Sequence, residues 1–319
     1  MAVRCWPCNM LRPNHAAGAC AVVDFSLRRT HGIDAGMKVA RSSYLAGFSG
    51  TSNVSAGKRY GIPTVGTMAH SFVTSFEREI DAFRSFVASF PDNSILLIDT
   101  YDTLAGARKA VEIAREMAHK DQHLRGVRID SGDLASLAKG VRRIFDDARL
   151  TDVKIIGSGG LDEYDLAALA EANAPYDSYG VGTKMGVSAD APWFDMAYKL
   201  VEYNGRSVLK LSTGKASFPG RKQIFRFADQ QGWLMKDVIA LRNEELAGAE
   251  PLLKKVMEKG EMKEPYPNLK EIRESFSGEF GRLDEKSKAI RNPAAYPVEL
   301  SPRLRQLREK IEQQVAQTQ

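Results

Sequence analysis

The sequence predicts a parallel α/β barrel followed by a smaller β-rich region with helices, and three observations carry that expectation. From about residue 21, short β-branched apolar runs end in polar, Gly-rich turns, and an amphipathic helical stretch follows each, six or seven times in series. The runs are nearly continuous in apolar residues, as in Ile95-Leu96-Leu97-Ile98, which suits strands covered on both faces. After about Trp193 hairpin signals replace the alternation. A doubly wound sheet shares the first two features; so many units in series favour the barrel.

The strand candidates are Ala21–Phe25, a short one near Gly47–Asn53, Pro63–Thr67, Ser94–Asp99, Gly126–Asp130, Val153–Gly157 and Ser178–Gly182. Between them, Leu134, Leu137, Ala138, Val141, Ile144, Phe145 and Ala148 share one helical face, as do Ala110, Ile113, Ala114, Met117 and Ala118. Beyond the barrel, Met196–Tyr203 and Ser207–Leu211 flank Asn204-Gly205, a strong two-residue turn signal. Lys222–Phe227 and Trp233–Leu241 read as antiparallel strands, Leu269–Phe276 and Leu304–Val315 as helices. The resulting division is an atypical leader over 1–20, a barrel over 21–192 and a C-terminal region over 193–319. The leader mixes Cys, Trp, Pro, Asn and His without periodicity and is expected to be disordered and without a role.

Composition narrows the class. With 43% hydrophobic and 27% charged residues the chain reads as an ordinary soluble globular protein. A net charge of +5 suits anionic substrates but is too small and scattered to argue for nucleic acid. There is neither an 18-residue apolar run nor an apolar signal core, so neither membrane insertion nor export is expected. All three cysteines (Cys5, Cys8, Cys20) lie in the first 20 residues. Cys5-Trp-Pro-Cys8 has redox or zinc spacing but lacks a second ligand pair, and the cysteine-free remainder suits a reducing cytoplasm.

In a parallel barrel the chemistry sits at the C-terminal strand ends, so the turns there supply the candidates. Arg28 and Arg29 follow the first strand, where two guanidinium groups can hold carboxylate or phosphate; the bland reading is a solvated pair. His70 in Gly66-Thr67-Met68-Ala69-His70 stands where a strand gives way to a helix, suited to nucleophilic or acid–base work. Asp99-Thr100 and Arg128-Ile129-Asp130-Ser131-Gly132-Asp133 place carboxylates after apolar strands. Such groups hold ribose hydroxyls, Mg²⁺ or a cationic transition state, though Asp133 reads equally well as a helix cap. Ser158-Gly159-Gly160 and Gly182-Thr183 expose backbone N–H groups in late loops, as phosphate sites do. These residues point to a phosphate-handling barrel enzyme and leave aldolase, isomerase and phosphoribosyl transfer open.

Taken in order, VVDFSLRRTHG, AGFSGTSNVSAGKRYGIPTVGTMAHSFV, ILLIDTYDT, GVRIDSGDL, IIGSGGLDEY, YGVGTKMGVSADAP, YKLVEYNGRSVLKLSTGKASFPGRK and AYPVELSPRL resemble the nicotinate phosphoribosyltransferase family, from about Val22 to about Leu307. The resemblance implies a type II phosphoribosyltransferase-like open α/β barrel. It implies that nicotinate and phosphoribosyl pyrophosphate combine, with Mg²⁺ and with ATP hydrolysis as co-reaction, to give nicotinate mononucleotide in NAD salvage. It assigns His70 as the histidine phosphorylated by ATP, and Arg28 and Arg29 to the nicotinate carboxylate and substrate phosphates. Arg128 and Asp130 fall to base and ribose, Gly159, Gly160, Gly182 and Thr183 to the 5′-phosphate, and Asp99 and Thr100 to a further active-site strand end. In Thr51-Ser52, Ser52 stands where nicotinamide-using relatives have Asp, so acid is expected over amide. Ser26 replaces a glycine common in the family. The family's N-terminal region, with a Thr-Asp-Leu-Tyr-type segment that reaches the partner subunit of a homodimer, has no counterpart here. A truncated, catalytically inactive remnant is therefore the alternative expectation.

Overall fold

The computed structural model describes residues 6–193, 197–212 and 216–318. It separates into two units: one runs to Trp193 and includes Leu269–Phe276, and the other comprises most of the chain after Trp193.

The first unit is built on six parallel strands: β1 (Ala21–Asp24), β2 (Gly50–Thr51), β3 (Ile95–Leu97), β4 (Gly126–Ile129), β5 (Lys154–Gly157) and β6 (Ser178–Val181). Their order across the sheet is β2-β1-β6-β5-β4-β3. Around them lie α1 (Trp6–Ala16), α2 (Ile33–Leu45), α3 (Val54–Tyr60), α4 (His70–Thr74), α5 (Glu79–Ser89), α6 (Thr103–Ala118), α7 (Leu134–Asp147), α8 (Glu163–Glu171) and α9 (Thr183–Gly186). β2 and β3 are the two edges, so the ring is open between them. The sheet curls nonetheless. Arg128 of β4 lays its guanidinium over the ring of Phe25 just after β1, 5.8 Å from the centroid, although β1 is three strands away and a flat sheet would separate the two by about 14 Å.

The core follows the sequence pattern. Leu96, Leu97 and Ile98 are fully buried, as are Val127, Ile129 and Ile155, and each such side chain stabilises the fold by roughly 1.5–3 kcal/mol. On α7 the buried residues are Ala138, Val141 and Phe145, all on the expected face. Asp133 is the N-cap of that helix and accepts from the Ser136 N–H at 3.2 Å, which settles it as a cap.

Two expectations are corrected. Much of the 1–20 segment is ordered: α1 occupies Trp6–Ala16 and buries Met10 completely. Its Arg12 donates to the Tyr164 hydroxyl at 2.8 Å and pairs with Glu163 at 2.9 Å on α8. A helix that contains Pro13 and is held partly by such polar contacts carries little apolar periodicity. Cys5 lies outside the described residues, as does the Cys8 side chain. Pro63–Thr67 forms no strand and makes a single bridge, Thr64 to Thr51; β2 is only Gly50–Thr51, too short to template a longer partner.

The second unit holds β7 (Glu202–Tyr203), β8 (Arg206–Ser207), β9 (Lys222–Ala228), β10 (Leu234–Leu241), β11 (Ala249–Pro251), β12 (Met257–Glu258), β13 (Glu261–Met262) and β14 (Val298–Leu300). Helix α10 (Leu269–Gly281) gives its second half to this unit, followed by α11 (Glu285–Lys288) and α12 (Pro302–Thr318). The predicted hairpin forms with positive φ at both Asn204 and Gly205, but its strands are two residues each; Phe194–Met196 lie outside the described residues. The main sheet has order β11-β9-β10-β14. Arg226 of β9 grips Asp237 of β10 with two hydrogen bonds of 2.9 Å, and this bidentate pair fixes the register of that sheet.

Candidate active site at the strand ends

The turns after β3, β4 and β5 form one hydrogen-bonded block. The Asp99 carboxylate, 8% exposed, accepts through Oδ2 from the Asp130 N–H at 2.9 Å and from the Ser131 hydroxyl at 2.6 Å. Asp130 in turn accepts through Oδ1 from the Ser158 hydroxyl at 2.5 Å. Asp130 Oδ2 faces His70 Nε2 at 3.8 Å, while His70 Nδ1 sits 3.1 Å from the Thr100 hydroxyl. The imidazole is thus held on one nitrogen and leaves Nε2 facing the carboxylate. It reaches this place because α4 begins at His70 and an aromatic string anchors the helix. Phe72 lies 5.2 Å from Phe76 and 6.1 Å from Phe86 on α5.

Arg128 is largely buried beside this block. Burial pushes its pKa down, Asp130 and Asp99 push it back up, and Arg28 lowers it again. It donates weakly to the Met68 carbonyl at 3.4 Å, and its Nε has no partner. A buried cation with unused donors is suited to an anionic ligand.

Gly159 and Gly160 both have positive φ, +107° and +71°. At Gly159 a Cβ would stand 1.9 Å from the Asp130 carbonyl oxygen, so only glycine lets the turn after β5 approach the turn after β4 this closely. The Ser158 side chain is taken by Asp130.

Across the ring, the turns after β1, β2 and β6 make a second block. Arg28 and Arg29 project from a single 3-10 turn, Leu27–Arg29, and both are exposed. The turn is packed between glycines: a Cβ at Gly36 would meet Leu27 at 2.7 Å, and one at Gly186 would meet Ser26 at 2.6 Å. Gly182 starts α9 with its Cα 's missing side chain against the Phe25 carbonyl, where a Cβ would stand at 2.8 Å, and Thr183 is the first residue of that short helix. Thr51 differs from the expectation of direct substrate contact. It is fully buried, and its hydroxyl donates to Asp24 Oδ2 at 2.7 Å and accepts from the Asn53 N–H at 3.0 Å. Ser52 is the half-buried member of the pair.

Sequence reasoning missed Asp24 and the Phe25 ring under Arg128. The available signal was an acidic residue closing an apolar strand in Val22-Val23-Asp24-Phe25; the arginines three residues on drew the attention instead.

No group of three or more His, Cys, Asp or Glu side chains among the described residues could hold a metal. Asp99 Oδ1, however, is buried without a hydrogen-bond partner, and such an atom is costly unless a ligand satisfies it. One or two carboxylates beside substrate phosphates are the usual surroundings of Mg²⁺, so Asp99 and Asp130 fit a cation that arrives with its substrate rather than a resident one.

Fold and rim together define the class: an open parallel α/β barrel whose ionic and glycine-rich turns gather at the C-terminal strand ends. The family model described as "Nicotinate phosphoribosyltransferase (NAPRTase) family" matches residues 20–230, and its C-terminal domain matches residues 246–308; the chain belongs to this family. A nicotinate phosphoribosyltransferase of Mycobacterium tuberculosis is 45% identical over 291 residues, covering 91% of this chain and 62% of the relative. That of Bacillus subtilis is 34% identical over 92% of this chain and 67% of its own. The crystal structure of human nicotinic acid phosphoribosyltransferase superposes with a TM-score of 0.83 at 28% identity, covering 96% of this chain and 73% of that one. Nicotinate-nucleotide pyrophosphorylase from Pyrococcus furiosus gives 0.73 at 29% identity, covering 87% and 69%. The chain therefore spans about three fifths of the length of the Mycobacterium tuberculosis relative. No helix among the described residues is long and apolar enough to cross a membrane.

Proposed function

We propose that the chain joins nicotinate to phosphoribosyl pyrophosphate, forming nicotinate mononucleotide and pyrophosphate, with ATP hydrolysis coupled through His70. The observation that carries this reading is the convergence of His70, Asp130 and Asp99 in one block, with the buried Arg128 beside it and coupled to both carboxylates by charge. The bond from ribose C1 to pyrophosphate breaks as the pyridine nitrogen bonds to C1, and positive charge develops on the sugar. Asp130, fixed by Ser158 and by its own N–H to Asp99, supplies a negative charge that needs no reorganisation. Arg28, Arg29 and Arg128 favour the anionic groups, and the Gly159-Gly160 and Gly182-Thr183 backbones take the 5′-phosphate. Asp99 and Asp130 would be the residues to hold Mg²⁺, which would supply neutralisation of leaving-group charge.

For His70 to accept a phosphoryl group on Nε2, its proton must sit on Nδ1 and be donated to the Thr100 hydroxyl, as their 3.1 Å separation allows. The N–P bond forms while the bond from Pγ to the bridging oxygen breaks and ADP leaves. Water later attacks the phosphorus, releasing phosphate. The phosphorylated imidazole adds about −2 of charge near Asp130, so the two anions repel each other unless a cation lies between them. This favours the phosphorylated state when substrate brings Mg²⁺. His70 facing Asp130, and Asp130 tied to Asp99, support a catalyst over an inactive remnant, as does family membership. A homodimer in a reducing cytoplasm is part of the same proposal, supported by family membership and by the cysteine-poor chain.

The test is direct. Purified chain is given nicotinate and phosphoribosyl pyrophosphate with and without ATP, and nicotinate mononucleotide is quantified. Product is expected, more of it with ATP, with ³²P incorporated from γ-labelled ATP in the wild type and none in His70→Ala. Absence of product at all substrate concentrations overturns the proposal.

A further inference from the structure

We infer that Asp24 is a positioning residue for nicotinate: its carboxylate bridges the arginine turn and the Thr51-Ser52 segment and holds them in register as one carboxylate-binding wall. The inference rests on the proposed reaction and goes beyond it by assigning a residue that touches no substrate.

Asp24 ends β1 and is 0% exposed. Each of its acceptor atoms is committed to one of the two segments. Oδ1 accepts from the Ser26 N–H at 2.9 Å, at the head of the turn that carries Arg28 and Arg29. Oδ2 accepts from the Thr51 hydroxyl at 2.7 Å, and the Asp24 carbonyl accepts from the Ser52 N–H at 2.8 Å. The chain of bonds continues through Thr51 Oγ1 to the Asn53 N–H, the cap of α3. β1 pairs with β2 only through Val23–Gly50 and Asp24–Thr51. Two residues of pairing are a weak ladder, so the register of the segment bearing Ser52 depends on the side chain that extends it.

A buried carboxylate is an expensive way to join two turns, because desolvation opposes its charge. A neutral side chain would be cheaper if only stability were at stake. The charged acceptor is distinguished by strength and by having two equivalent oxygens, so both segments are held at once. An asparagine cannot reproduce this: with its oxygen toward Ser26, its NH₂ group faces the Thr51 hydroxyl, whose proton then loses its acceptor. The Asp24 carboxylate bonds to Ser26 and Thr51, whereas the turns after β3, β4 and β5 hold one another through Asp99 and Ser158. A defect at Asp24 should therefore fall mainly on the arginine turn and the Ser52 segment and spare the Asp99–Asp130 block and His70.

The experiment compares wild type, Asp24→Asn and Thr51→Val in steady-state assays with nicotinate and phosphoribosyl pyrophosphate varied separately, alongside ³²P incorporation at His70. Expected is a rise in KM for nicotinate on the order of tenfold to a hundredfold, the range for a lost charge-assisted hydrogen bond. KM for phosphoribosyl pyrophosphate should rise several-fold less than that for nicotinate, and His70 labelling should be unchanged. Equal effects on both substrates, no effect on either, or loss of folding in both variants would mark the carboxylate as a fold element and overturn the inference. A wild type that makes no nicotinate mononucleotide would instead defeat the proposed reaction itself, so the two failures are told apart in the same series.

Discussion

Replacing Gly159 by alanine should damage the site far more than the same change at the adjacent Gly160, and the structure supplies the magnitudes. At Gly159 the backbone has φ +107°, and a Cβ would stand 1.9 Å from the carbonyl oxygen and 2.8 Å from the carbonyl carbon of Asp130. An ordinary contact needs about 3.4 Å or more, so the turn after β5 must retreat from the turn after β4 by roughly 1.5 Å. The positive φ costs about 1–2 kcal/mol and overpacking against backbone about 1–3 kcal/mol, a destabilisation of roughly 2–5 kcal/mol. The retreat also withdraws Ser158 from Asp130, whose hydrogen bond is 2.5 Å. A displacement near 1 Å at a reacting centre costs about a hundredfold in rate. At Gly160 the φ is +71° and nothing lies within 4 Å of the added Cβ, so only the backbone term applies, about 1–2 kcal/mol. The assay is kcat/KM for nicotinate mononucleotide formation, with a thermal melt of each variant. A Gly159→Ala enzyme within twofold of wild type, or one no worse than Gly160→Ala, would refute the reasoning.

Further outcomes follow from other contacts. Arg273 stacks on Tyr44 at 4.4 Å and donates to the carbonyls of Tyr44, Gly47 and Phe48, so Arg273→Ala should cost about 2–4 kcal/mol in urea unfolding; a loss under 0.5 kcal/mol would contradict this. Ser52→Asp should shift preference from nicotinate toward nicotinamide by repelling the carboxylate, measured as the ratio of kcat/KM values; an unchanged ratio would remove Ser52 from the specificity argument. Burial raises the Asp24 carboxyl above its ordinary value of 3.8, although hydrogen bonds from Ser26 and Thr51 oppose the rise. The folded state therefore binds this proton more tightly than the unfolded one, and Asp24's contribution to stability falls as pH climbs from 3.8 through the raised value. Wild type should accordingly lose stability relative to Asp24→Asn across that window in denaturant melts, and a constant difference would count against the assignment.

The barrel strands were legible because parallel strands covered on both faces are apolar along their covered length, as Ile95–Leu97 is throughout and Ile155-Ile156 are inside Lys154–Gly157. The edge was not legible. Pro63–Thr67 has strand composition, but its partner Gly50–Thr51 offers only two residues, and pairing is decided by the neighbour rather than by the segment's own pattern. Helix α1 escaped notice because its buried stripe, Met10, Pro13 and Ala17, runs through a proline, and Arg12 adds polar contacts to α8. At the rim, residues with unusual chemistry were easy to single out: His70 and Asp130 do meet. Residues whose task is to hold other residues were not. Thr51 and Ser158 look like ligands in the sequence because hydroxyls at strand ends often are, yet both hydroxyls face inward to carboxylates. Their direction depends on the curl of the sheet, which no local pattern encodes.

That curl explains why the acidic and basic groups of the rim can serve one reaction. Asp99 and Asp130 follow β3 and β4, whereas Arg28 and Arg29 follow β1, and the shorter path through the sheet between β4 and β1 crosses β5 and β6. Laid flat, carboxylates and exposed arginines would be separate surface features, each screened by water beyond a Debye length of about 8–10 Å. Curling brings Arg128 of β4 over Phe25 and close enough to Arg28 for repulsion to be felt. A buried guanidinium facing an exposed one is an unfavourable pair that an anion between them would relieve. The same curvature leaves Asp130 beside Nε2 of His70, a pair that is favourable when the imidazole is protonated and unfavourable once it carries phosphate. Under the proposed reaction, the ring would present a cationic end that an anion satisfies and an anionic end that phosphorylation of His70 strains; the nicotinate carboxylate at one side, and pyrophosphate with its cation and a transient positive charge at the other, would relieve both.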